Sequence, residues 1–210
     1  MIVQNLLIGY MIKKKFIIVI IFIFFLQSIL KANETNTFQI EGISIGDNLL
    51  DHFSLEHINS FDKEFYPKSK KFYEQYIHWP EKGDFEIYDS LTISLKKNSY
   101  EVFSIAGHLM EFKSFNECLI TKDQIVNDIT SIYETRIVYD DLDKNIFDYA
   151  DNKSKKYQIQ IRSLDNSVLF SVDCTDWSEK AEKKNNWNDN LGVQIYSKEY
   201  ENFLRNEAYN

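Results

Sequence analysis

Proline, glycine, arginine and cysteine are all rare in this 210-residue chain, which has two prolines, six glycines, three arginines and two cysteines. Two prolines exclude a proline-rich docking arm, and six scattered glycines exclude long flexible linkers and a glycine-rich phosphate loop. The 24 basic side chains are outnumbered by 32 acidic ones, for a formal charge of -8. Such a chain lacks the basic surface that phosphate backbones require, so nucleic acid is not expected as a partner. Lys68, Lys70 and Lys71 read as a solvated face. What is present, 44% hydrophobic residues with 16 Phe and 13 Tyr, is a globular composition. The abundance of Lys, Asn, Ile, Phe and Tyr is the bias of AT-rich coding sequence and carries no mechanism.

The front of the chain has a three-part pattern. Lys13, Lys14 and Lys15 precede the apolar run Phe16 to Leu26, and Gln27-Ser28-Ile29-Leu30-Lys31-Ala32 follows. Cations that hold the start at an anionic leaflet, an apolar stretch for the translocon and a small residue for the peptidase together predict a signal peptide over residues 1–32. Met11 is an alternative start, which would make residues 1–10 a mis-extension. An uncleaved anchor is the competing expectation, although Phe16 to Leu30 falls short of the roughly 20 residues needed to span a bilayer. Cleavage removes four lysines and no acids, leaving 20 basic against 32 acidic side chains, or -12. The expected location is periplasmic or secreted, and the expected membrane contact is the signal segment during export. No cysteine near the cut offers a site for lipid attachment.

An even cysteine count in an exported chain predicts a disulfide between Cys118 and Cys174. Ser114-Phe115-Asn116-Glu117 is a capping box that starts a helix over 115–134. Cys118, Ile125, Ile129 and Ile132 then recur at helical spacing and predict one buried stripe. Val168, Phe170, Val172 and Cys174 alternate along a strand, which turns the second sulfur toward the same interior. A reactive thiol is the competing role, but no Cys-x-x-Cys is present and buried thiols are inert.

Along the rest of the chain, Phe38 to Ile45 alternates as a strand with a slip at Gly42. Asp47 is expected to cap a helix through Leu50, Phe53 and Ile58, with Ser54 restarting a second piece. The aromatic stretch from Phe65 to Trp79 has no clear period. A long strand over 85–95 turns at Lys96 to Ser99 into a partner over Tyr100 to Met110. Arg136 to Tyr139 reads as a short strand. Tyr157, Ile159 and Ile161 mark another, joined by Leu164-Asp165-Asn166 to the Cys174 strand. Ser178 caps a short helix, Leu191 to Ile195 forms the last strand, and Ser197 caps a helix carrying Tyr200, Phe203 and Leu204. The order predicts an α+β fold, with an antiparallel sheet of two hairpins plus extra strands packed against helices, as a single domain over 33–210.

Candidate chemistry is sparse. Asp141-Leu142-Asp143-Lys144-Asn145 reproduces the opening of a calcium loop, so Asp141, Asp143 and Asn145 are the metal candidates. Ile146 replaces the turn glycine and Asn152 the closing glutamate, and a solvated acidic loop is the plainer expectation. Calcium is the one cofactor considered; otherwise none is expected. His52, His57, His78 and His108 lack metal-ligand spacing, and no nucleophile elbow occurs, so no catalytic residue is assigned. Trp79 and Trp187, with Trp177, offer stacking platforms for a sugar or another ligand, with core filling as the competing role.

With Glu41-Gly42-Ile43-Ser44-Ile45-Gly46-Asp47-Asn48-Leu49-Leu50-Asp51, Phe115-Asn116-Glu117-Cys118, Val172-Asp173-Cys174-Thr175-Asp176-Trp177-Ser178 and Tyr196-Ser197-Lys198-Glu199-Tyr200, the chain resembles a group of uncharacterised exported proteins from AT-rich marine alphaproteobacteria. The resemblance implies export and no reaction. The expected function is an exported, non-enzymatic module that binds an unknown protein or small ligand. A periplasmic hydrolase and a calcium-stabilised structural domain are the alternatives.

Overall fold

The computed structural model describes residues 38–78, 85–110, 112, 114–143, 153–185 and 187–210, without the side chains of residues 78, 142, 143 and 185. Contacts divide the chain after Phe38, and the account that follows concerns the unit Gln39–Asn210. Eight strands form one sheet: β1 (Asp62–Phe65), β2 (Phe72–His78), β3 (Ser90–Lys96), β4 (Val102–Leu109), β5 (Thr135–Asp143), β6 (Lys155–Ser163), β7 (Val168–Asp176) and β8 (Asn190–Ser197). Among the described residues four α-helices accompany them: α1 (Leu55–Ser60), α2 (Phe115–Ile132), α3 (Glu179–Asn185) and α4 (Lys198–Asn206). The fold is α+β. Sheet order is β1-β2-β3-β4-β8-β7-β6-β5 with every neighbouring pair antiparallel. Each half is a helix followed by a four-stranded meander, and the two meanders join along β4 and β8.

Strand alternation gives the sheet two unlike faces. Cys174 is bonded to Cys118 of α2, so the register carries Val172, Val193, Ile195, Ile105 and Ile93 onto the face that α2 covers. All five are at most 2% exposed. At the β2–β4 end the same face meets α1, where Gln75 Nε2 donates to the Ile58 carbonyl at 2.9 Å. The opposite face is apolar only under α4, where Phe72, Phe103, Tyr200 and Phe203 pack together with Tyr66 and Ala208. Full burial of Phe72 and Phe203 contributes about 2–3 kcal/mol each. Elsewhere this face carries hydroxyls and amides that bond one another. Gln194 Nε2 donates to Ser104 Oγ at 3.0 Å and Gln158 Nε2 to Ser171 Oγ at 2.7 Å.

Local chemistry sets most element boundaries. Ser54, Ser114, Ser178 and Ser197 each accept a backbone N–H from three residues on, so all four helices begin where a serine caps them. Several expectations are corrected. Phe38 to Ile45 is not a strand: Glu41 and Gly42 adopt φ of 52° and 76°, and Ile40 and Ile43 bond each other across a tight type I′ turn. Asn48, not Asp47, caps the short 3-10 turn Leu49–Asp51. The strand expected from residue 85 begins at Ser90, because Glu41 accepts the backbone N–H groups of Glu86, Ile87 and Tyr88 at 2.8–2.9 Å and takes them out of any ladder. The aromatic stretch supplies β2 and the end of β1, and β5 is nine residues long. On α2 the buried stripe is Cys118, Lys122, Val126 and Ile129, while Ile132 is 61% exposed. Lys122 fills its place by laying its stem along the sheet, with its ammonium 4.4 Å from the Tyr157 ring centre and 2.6 Å from Asp123.

Candidate functional site

Where β7 ends, three hydrogen bonds fix the chain before α3. Trp177 N donates to Asp189 Oδ1 at 2.6 Å, Ser178 N donates to Ser154 Oγ at 3.0 Å, and Ser178 Oγ caps Ala181 N at 3.3 Å. The Trp177 ring meets Trp187 with centroids 4.5 Å apart and planes tilted by 41°. Trp187 is 37% exposed. A groove of about 830 Å³ opens beside Trp177 and Ser178, and Lys153, Lys180, Lys183 and Lys184 line it. Its two carboxylates, Asp176 and Glu179, are ion-paired with Lys155 at 2.7 Å and Lys183 at 3.3 Å. The site therefore places an indole ring beside four lysines and two carboxylates.

Two further clusters occupy the face under α4. Glu74 accepts hydroxyls from Tyr66, Tyr200 (2.9 Å) and Tyr76 (2.7 Å), and the Tyr66 and Tyr200 hydroxyls touch each other. Burial, reinforced by neighbouring negative charge, raises the pKa of all three tyrosines far above the ordinary phenol range. They stay protonated and act as donors, which tie Tyr66, β2 and α4 together. Nearby, Arg162 forks onto Glu201 with bonds of 2.8 and 2.6 Å, and Arg205 adds a third at 2.9 Å. The Arg162 hydrogen bond foremost holds the Glu201 carboxyl down at about 2.

A small cavity of about 70 Å³ lies beside the disulfide, with Ser114, Asp176 and Asp189 among its walls. Burial raises the Asp189 pKa, with the Trp177 N–H opposing and Asp176 adding to the rise. The volume corresponds to about two waters.

Of the ligand residues expected from sequence, Trp187 stands at the groove's tryptophan pair, while Trp79 lies outside the described residues. Asp141 and Asp143 occupy β5, opposite Gln158 and Lys156, and Asn145 lies outside the described residues. Among the described residues no three His, Cys, Asp or Glu side chains group to hold a metal ion. Cys118 and Cys174 are joined, with Cα atoms 6.0 Å apart. The four groove lysines were not singled out by sequence; Ser178 capping α3 was the signal that placed three of them on one short helix. No helix among the described residues is long and apolar enough to cross a membrane. Compared with family models, curated proteins and solved structures, the chain matches none.

Proposed function

We propose that the chain is an exported, non-enzymatic binding module whose ligand lies in the groove beside Trp177. The observation that carries this is the half-open Trp177–Trp187 pair next to a groove of about 830 Å³, a volume within the roughly 300–1,000 Å³ of small-molecule sites. The disulfide is compatible with an oxidising compartment, and the Lys13 to Ala32 pattern supports export. The alternative, a hydrolase, draws support from Asp176 and Asp189, which line one small cavity. Tryptophan fluorescence, read against a panel of neutral and acidic oligosaccharides, tests the module. At least one sugar is expected to change the emission, and Trp187→Ala is expected to weaken that sugar about tenfold, or ~1.4 kcal/mol, with the melting curve intact. If no sugar changes the emission, or if Trp187→Ala unfolds the protein, the pair fills core space and the proposal fails.

A further inference from the structure

We infer that Tyr66 and Tyr200 form an oxidative modification site, at which hydrogen peroxide, acting through a haem peroxidase, joins the two rings in a dityrosine crosslink. The site is independent of the groove. Tyr66 follows β1 and Tyr200 lies on α4, 134 positions apart in sequence, yet their hydroxyls touch and their ring centroids are 6.3 Å apart. Dityrosine forms through the ring carbons beside the hydroxyl, so hydroxyls in contact bring the reacting carbons close together. Tyr66 is 9% exposed and Tyr200 is fully buried, so packing holds the pair in one arrangement. Groups held in this way react without waiting for a chance encounter. Tyr196 also stacks on Tyr200, at 6.1 Å, but its hydroxyl is turned to Gln194.

Protons and electrons both have a route. A phenol gives up an electron more readily when a carboxylate takes its proton, and Glu74 accepts hydrogen bonds from both hydroxyls. The Tyr76 hydroxyl lies 2.7 Å from Glu74 and 3.3 Å from the exposed Glu64, which gives the first proton a way out before the second arrives. Buried rings are out of reach of a peroxidase. Tyr209, however, is 62% exposed, and its ring centroid is 5.6 Å from that of Tyr66, close enough to pass the oxidation inward. Each of the two coupling rings loses one electron and its phenolic proton. The two radicals form one carbon–carbon bond, and the hydrogen on each newly bonded carbon moves to the hydroxyl oxygen and restores the phenol. The two electrons and two protons released reduce one hydrogen peroxide to two waters. The product fastens α4 covalently to the segment that follows β1.

The test treats the full disulfide-bonded protein with a haem peroxidase and hydrogen peroxide, then reads dityrosine fluorescence in the single-chain band of a denaturing gel, intact mass and a tryptic map. The single chain is expected to fluoresce, to lose two hydrogens, and to yield residues 64–68 joined to residues 199–205. Peroxide without the peroxidase is expected to leave the tyrosines unjoined. Tyr209→Phe changes an exposed position, so the melting curve is expected to stay the same while the crosslink forms about tenfold more slowly. Tyr200→Phe is expected to abolish the product; because that variant alters the buried cluster, the tryptic map of the unaltered protein decides if it fails to fold. Fluorescence confined to chains joined to one another overturns the inference. So does a map in which residues 64–68 are joined to residues 206–210, or the absence of any dityrosine. An unchanged rate in Tyr209→Phe overturns the route through that ring.

Discussion

Strands β1–β4 and strands β5–β8 each follow a helix and each run as an antiparallel meander, yet their apolar faces are closed differently. The second set lies under an 18-residue helix bonded to the sheet through Cys118 and Cys174. The first lies under a helix of six residues, too short to be stable by itself. There the chain is held by polar clamps. Glu41 takes three backbone N–H groups, Gln75 reaches the Ile58 carbonyl, Gly46 N donates to Val102 O, and Leu49 N donates to Tyr100 O. One topology thus tolerates two fastenings: a covalent staple where a long stripe is available, and backbone-directed hydrogen bonds where it is not.

Removing the staple with Cys118→Ala, Cys174→Ala is the harshest way to break this contrast. The crosslink spans a sequence separation of 56, so its loss is expected to destabilise by about 4 kcal/mol in urea titrations. A loss below about 1 kcal/mol would make the two fastenings equivalent. Acid probes the same half through its buried ion pair. Glu201 titrates at about 2 when folded, below its ordinary 4.5. The unfolded chain therefore binds that proton first as pH falls. The stabilisation, about 3 kcal/mol, is complete above pH 4.5 and is lost as pH drops toward 2. Glu201→Gln should flatten that limb of the stability–pH curve, and an unchanged slope would assign acid sensitivity to other carboxylates. The gentlest test addresses the clamped half. A Cβ on Gly107 would stand 2.5 Å from the Tyr88 ring, so Gly107→Ala is expected to cost about 2 kcal/mol by overpacking. Tyr88→Ala should recover part of it in a double-mutant cycle, and strict additivity would show that the ring is not seated there.

The same contrast governs what could be read from sequence. In the second half, local signals agree with the final structure: Ser114 caps α2, alternation from Val168 to Cys174 holds, and the two sulfurs meet. The exceptions lie on α2: Ile132 is exposed and Ile125 falls off the buried stripe, while Lys122 joins it, because a cation there looks polar until Tyr157 supplies a ring for its ammonium. In the first half the deciding contacts are distant. Glu41 lies 45 residues from Glu86, so nothing local to residues 85–89 announces that their backbone is already occupied. β2 was hidden because Tyr73, Gln75 and Ile77 face one layer and Phe72 packs into the other, which erases the alternation of a half-wet strand. At the site, the two tryptophans were visible as residue types. The groove was not, since it depends on Lys153 being brought beside a helix that begins 26 positions later.

The strand at the middle of the sheet is the eighth to be synthesised. Until residues 190–197 leave the ribosome, β4 and β7 each present a bare row of backbone donors and acceptors, and neither meander has its neighbour. The nascent polypeptide is consequently kept from locking into its final shape until the eighth strand has emerged. The corresponding hazard is aggregation through those waiting edges, so a chain interrupted before β8 should demand chaperone custody.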